Sequence, residues 1–310
     1  MKLLQYKIKP GTSDRNDSQI SIAADEVIPA AVEFLGPMNS AEEHVLAMTV
    51  LGLMAVSDDN KIKMADAGAI PRLVDLLGPR NSMVVREQAA TALNNLSHND
   101  GNKVKIILAG AVTPLVDLLG PLNSAEAQEE ASEALFNLSI NSNTWSLNDA
   151  ATAIPPMVAF LGPQCSGRRQ EEAAWALKNL AIGDDNVFNI IAAGAILPLV
   201  TLLGAQNAKN VQEAAAMALS SLAINSDIAG KIVAADAIPP LAALSESQSP
   251  EEVRAAAASA LKSLEINGIN IVQKIAAPVG AMTPAMVSTL LEAQGSAEVR
   301  EQAVRALQID

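Results

Sequence analysis

The sequence predicts an all-α solenoid, and three observations carry that prediction. Half of the 310 residues are hydrophobic but only 2% are aromatic, so Ala and Leu do most of the burying, and Ala is the strongest helix former. One segment recurs along the chain, as in "AIPRLVDLLGPRNS" and "AVTPLVDLLGPLNS". Its seven copies carry Pro29, Pro71, Pro114, Pro155, Pro198, Pro239 and Pro284, spaced by 42, 43, 41, 43, 41 and 45 residues. A period near 40 to 47 residues belongs to stacked helical repeats.

Each copy divides into three predicted helices. A short first segment such as "NKIKMADAG" ends at Gly68, a natural helix stop. Gly110, Gly194 and Gly280 hold the same position, and Asp25 and Asp236 replace the glycine in their copies. The second segment, "AIPRLVDLLG", places Pro71 in its first turn, where a missing N–H costs nothing, and stops at Gly78-Pro79. The third, "MVVREQAATALNNLS", repeats Ala89, Ala90, Leu93 and Leu96 at helical spacing, which predicts a buried face. By the same register Leu135, Leu138, Leu177, Leu180, Leu219 and Leu222 are expected in the core.

This "AG-AIPxLVxLL…EEAAxALxNLS" pattern resembles the armadillo repeat over residues 15–310. The resemblance implies a right-handed α-solenoid of about seven three-helix repeats, whose third helices line a concave groove. The repeats run 15–58, 59–100, 101–141, 142–184, 185–226, 227–267 and 268–310, the last incomplete, and residues 1–14 form an N-terminal extension. The wording is closest to armadillo arrays linked to U-box ligases. No U-box precedes the array, so ligase activity is not implied.

Two columns of the third helices are candidate groove residues. One contains Asn95, Asn137, Asn179 and Ser221. The other, four residues earlier, contains Thr91, Glu133, Trp175 and Met217. Residues four apart share a helix face. Within "WALKN", Trp175 and Asn179 are similar to the importin-α motif, in which asparagines grip a peptide backbone and tryptophans bracket lysines. An Asn amide both donates and accepts, and an indole face attracts ammonium groups. The tryptophan occurs in one repeat and the asparagines in three, so the likeness is local and nuclear import is not the leading function. These side chains are expected to lie outside the core.

A net charge of −13 argues against a nucleic-acid ligand and suits basic peptide partners. Glu42, Glu43, Glu87, Glu129, Glu130, Glu171, Glu172, Glu213, Glu251 and Glu252 gather at third-helix starts. Helix-dipole compensation explains such a pattern; an acidic groove rim is the sharper alternative. Catalysis is not expected. Adjacent carboxylates such as Glu171 and Glu172 do not face each other on a helix. Cys165 and two histidines, His44 and His98, make no nucleophile–base pair or zinc site, although Arg168 and Arg169 stand near Cys165. No cofactor fingerprint, signal peptide or membrane span is read from the chain. The expected role is an intracellular scaffold or adaptor, cytoplasmic or nuclear and monomeric in isolation, that binds extended peptide. The alternative is a structural subunit or spacer in a larger assembly.

Overall fold

A computed structural model describes residues 17–141, 145–246 and 248–269, which hold sixteen helices and no strand. Residues 1–14 and most of the seventh repeat, with Gly280, Pro284, Leu307 and Ile309, lie outside the described residues. The chain forms two compact units, Met1–Ala153 and Ile154–Asp310.

In the first unit, α1 (Asp17–Glu33) and α2 (Ala41–Met54) form repeat one. Repeat two consists of α3 (Asp58–Asp66), α4 (Ala69–Leu76) and α5 (Met83–Ser97). Repeat three consists of α6 (Asp100–Leu108), α7 (Val112–Leu118) and α8 (Ala125–Ser139). Helix α9 (Leu147–Phe160) runs from this unit into the second and precedes α10 (Gly167–Leu180). Repeat five contains α11 (Asp184–Ala192), α12 (Ile196–Leu202) and α13 (Lys209–Leu222). Repeat six contains α14 (Ser226–Ala234), α15 (Ile238–Leu244) and α16 (Glu251–Ile266).

Three helices per repeat therefore hold in repeats two, three, five and six, and the expectation is corrected in repeats one and four. The break between first and second helices needs a residue in the left-handed region. Gly194 supplies it at φ 81°, and α11 and α12 meet there at 79°; Gly68 and Gly110 act alike. In repeat four Thr152 occupies that position, and its hydroxyl donates to the Asn148 carbonyl at 2.8 Å. The helix continues through it and carries Pro155 and Pro156 inside. In repeat one Asp25 lies within α1 and binds Lys63 of α3 at 2.8 Å.

Asp236 does break its helix, at φ 62°. A left-handed backbone crowds Cβ, and Asp tolerates it less well than Gly. We expect Asp236→Gly to stabilise the protein by about 0.5–1 kcal/mol, read as a higher urea midpoint. A lower midpoint would show that the carboxylate holds a compensating contact.

The "GPxNS" turn is a device for changing direction. Asn81 Nδ2 donates to the Asp75 and Leu76 carbonyls at 3.2 and 3.1 Å, closing the end of α4. Asn39, Asn123 and Asn207 do the same in their repeats. The next residue caps the third helix: Ser40, Ser82, Ser124 and Ser166 accept from backbone N–H groups three residues on. A fourth position reaches back over the turn. His44 meets the Gly36 carbonyl at 3.0 Å, Arg86 that of Leu77 at 3.1 Å, and Gln170 that of Gly162 at 2.9 Å. Gln212, fully buried, donates to Leu203 and Gly204.

With the turns set, the third helices stack side by side: α2, α5 and α8 in the first unit, α10, α13 and α16 in the second. Leu93, Leu96, Leu135, Leu138, Leu177, Leu180, Leu219 and Leu222 are all at most 2% exposed, as the helical register requires.

Candidate functional site

The candidate columns lie on two third-helix stacks, one in each unit. In the first unit, Thr91, Asn95 and Glu133 are half-buried. Thr91 donates to the Glu87 carbonyl in its own helix at 3.2 Å. Asn95 makes no side-chain hydrogen bond among the described residues and edges a small cleft beside Leu51, Gly52 and Ala92. Leu53 is 69% exposed at the same register.

Asn137 behaves differently, and the expectation that it lies outside the core is corrected. It is buried, and its Nδ2 donates to Asn94 Oδ1 and Ser97 Oγ, both at 3.1 Å. Asn94, which stands outside both columns, in turn donates to Glu130 Oε2 at 3.0 Å. Ser124 donates to Glu87 Oε2 at 2.7 Å. Side-chain hydrogen bonds therefore tie α5 to α8 beneath the face. The adjacent "NN" of "LNNLS" was the available signal for Asn94: two successive amides on one helix cannot share a face.

In the second unit, Trp175, Asn179, Met217 and Ser221 are all half-buried on adjacent helices. Trp175 already holds a cation, because Lys178 Nζ lies 5.8 Å from its ring centroid. The same ammonium reaches Asn179 Oδ1 at 3.5 Å. Ser220, again beside the column, shares hydrogen bonds with Ser259 and Ser263 at 2.9 and 3.2 Å. Near the helix starts, Asn210 of α13 donates to Glu171 of α10. N-terminal end thus meets N-terminal end, and the helices run parallel.

The carboxylates at these starts divide by role. Glu43 completes a capping box with Ser40, as dipole compensation would have it. Glu172 is buried and paired with Arg168 at 2.9 Å. Glu213 is different: burial, followed by the charges of Glu252 and Glu171, pushes its carboxyl above the usual range. Like charges from three parallel helices crowd there.

Cys165 takes the position of the turn asparagine in repeat four, and Gln164 Nε2 reaches the Ala159 carbonyl at 3.2 Å instead. Burial pushes the thiol up and outweighs Arg169, which acts in the opposite direction. Arg169 also lies 5.1 Å from the Phe160 ring centroid. The guanidinium therefore does not activate the thiol. Among the described residues no group of three His, Cys, Asp or Glu side chains could hold a metal. No single helix among them is long and apolar enough to cross a membrane.

Residues 57–98 match the armadillo/beta-catenin-like repeat, and residues 209–264 match the HEAT-like repeat. A designed armadillo repeat protein in complex with the peptide (KR)4 is 30% identical, with a TM-score of 0.64 over 76% of this chain and 99% of that one. A computationally designed armadillo repeat protein for modular peptide recognition is 29% identical, with a TM-score of 0.66 over 76% and 99%. An engineered protein covers 99% of this chain, and 93% of its own, at 23% identity and a TM-score of 0.56, which speaks to fold alone. No curated protein matches the chain.

Proposed function

The chain belongs to the armadillo-repeat family, and from that premise we propose that it is a non-enzymatic scaffold that binds extended, basic peptide segments on its third-helix face. The crowding of Glu171, Glu213 and Glu252 carries this reading. Burial raises the Glu213 carboxyl first and the charges of Glu252 and Glu171 add to it, and a cation from a partner would relieve that repulsion. The similar designed protein that holds a (KR)4 peptide supports the same chemistry. Trp175 would contribute to a partner's lysine only after Lys178 swings aside, so the importin-like use of that indole is secondary.

The test is titration of a labelled (KR)4 peptide followed by fluorescence anisotropy at low and physiological salt. Binding should weaken as salt rises, since exposed charges are screened over roughly 10 Å at 0.1 M. Glu213→Gln with Glu252→Gln should weaken it further. In the absence of peptide, Glu213→Gln should raise the melting temperature slightly at pH 7. The sign follows from the raised carboxyl. Its ionised form opposes folding, so its protonation favours the fold at low pH, and that advantage is lost as pH rises through the raised value. Peptide binding should run the other way and fall as the carboxylates protonate. A peptide that fails to bind even at low salt would remove the reading.

A further inference from the structure

The crowded carboxylates Glu171, Glu213 and Glu252 lie toward the starts of the second unit's third helices. At the other end, in or just after the last turn, stand Ile182, Ile224 and Ile266, which are 67, 74 and 75% exposed. They recur every 42 residues, one from each of α10, α13 and α16. Single exposed apolar residues are ordinary. Three of one kind at one position of three packed parallel helices form a ledge. In the first unit Val56 and Ile140 are exposed at the corresponding place, with His98 between them in the register.

Each third helix of the second unit therefore presents acid near its start and an isoleucine at its end, where α16 also carries Glu265 beside Ile266. Trp175 and Met217 lie between on α10 and α13. On α10 and α13 the cations Arg168, Lys209 and Lys178 are engaged internally, with Glu172, with Gln212 and over Trp175, and α16 adds Arg254 and Lys262. An extended segment crossing the helices sends alternate side chains to opposite sides. One set would face Glu171, Glu213 and Glu252, and the other Ile182, Ile224 and Ile266.

We propose that the preferred partner of this face is an extended segment in which basic and aliphatic side chains alternate, its basic edge on the carboxylates and its aliphatic edge on the isoleucine ledge. The proposal rests on the peptide-binding reading and refines its specificity. A uniformly basic peptide would satisfy only the acidic edge and leave the ledge in water.

Three labelled octapeptides separate the possibilities: alternating Lys-Val, Lys-Ser and Lys-Arg, each titrated against the full chain. Lys-Val should bind about tenfold more tightly than Lys-Ser, as expected for burial of a few aliphatic side chains. In an Ile182→Ser, Ile224→Ser variant that advantage should largely disappear while Lys-Ser affinity holds. Ile224→Thr keeps the branched shape and provides the same comparison should the double variant fold poorly. Equal affinity for Lys-Val and Lys-Ser, with Lys-Arg binding, would overturn the proposal and leave basic-peptide binding intact. Failure of all three peptides would remove both. Sedimentation that shows a dimer of the unmodified chain, dissolved by the isoleucine variant, would assign the ledge to a second copy and overturn the proposal as well.

Discussion

Leu135→Ala is expected to lower stability by about 2–5 kcal/mol, the range for truncating a fully enclosed leucine whose cavity cannot collapse. Leu135 is 1% exposed in α8, which packs against α5, α6 and α7. Loss of its side chain loosens contacts within its own repeat and with the neighbour before it. Repeat arrays share stability between neighbours, so the thermal transition should broaden as well as shift. Leu53→Ala makes the matched control. That side chain is 69% exposed, and its truncation should change stability by no more than about 0.5 kcal/mol. Circular dichroism melts of the two variants decide the matter. Indistinguishable curves would mean that α8 does not present Leu135 to the core.

Register of this kind was legible from sequence because two periods coincide. The repeat of about 42 residues aligns the helices, and helical spacing within each selects the buried leucines. The same reading identified Gly68, Gly110 and Gly194 as breaks, and each has a positive φ. It treated Asp25 like Asp236, yet only Asp236 adopts the left-handed conformation. Asp25 has a lysine partner from the next repeat, an interaction 38 residues away that local propensity cannot contain. Thr152 was legible in principle, because a β-branched residue replaces the glycine there. The site was less legible than the core. A face can be inferred from spacing, but hydrogen bonds between helices depend on which side chains meet across a repeat. Asn94 and Ser97 lie outside the two columns, and Glu130 is legible in sequence only as an acid at a helix start. Lys178 and the isoleucines follow simple spacings, three residues from Trp175 and 42 between repeats, but stand outside the two columns.

Asn137 and Asn179 occupy one sequence column, and their substitution is expected to give unequal results. Asn137→Ala should cost about 1–3 kcal/mol, the penalty for stranding buried polar partners. It removes both donations to Asn94 and Ser97 and leaves their oxygens facing an alanine. Asn179→Ala acts at a half-buried position beside Lys178, whose ammonium reaches its Oδ1 at 3.5 Å, and should cost less than Asn137→Ala, whose side chain is buried. Because Asn94 joins Asn137 to Glu130, the Asn94→Ala, Asn137→Ala double variant should cost less than the sum of the single changes. A coupling of about 0.5–3 kcal/mol is the scale for residues in one network. Urea unfolding of the four proteins supplies the cycle. The result also governs how binding data are to be read. A peptide lost by Asn137→Ala would report partly on the joint between α5 and α8, whereas one lost by Asn179→Ala would report on the face itself. If Asn137→Ala unfolds like the parent protein but no longer binds peptide, the amide is free for a partner in solution, and the internal network is the interaction that gives way.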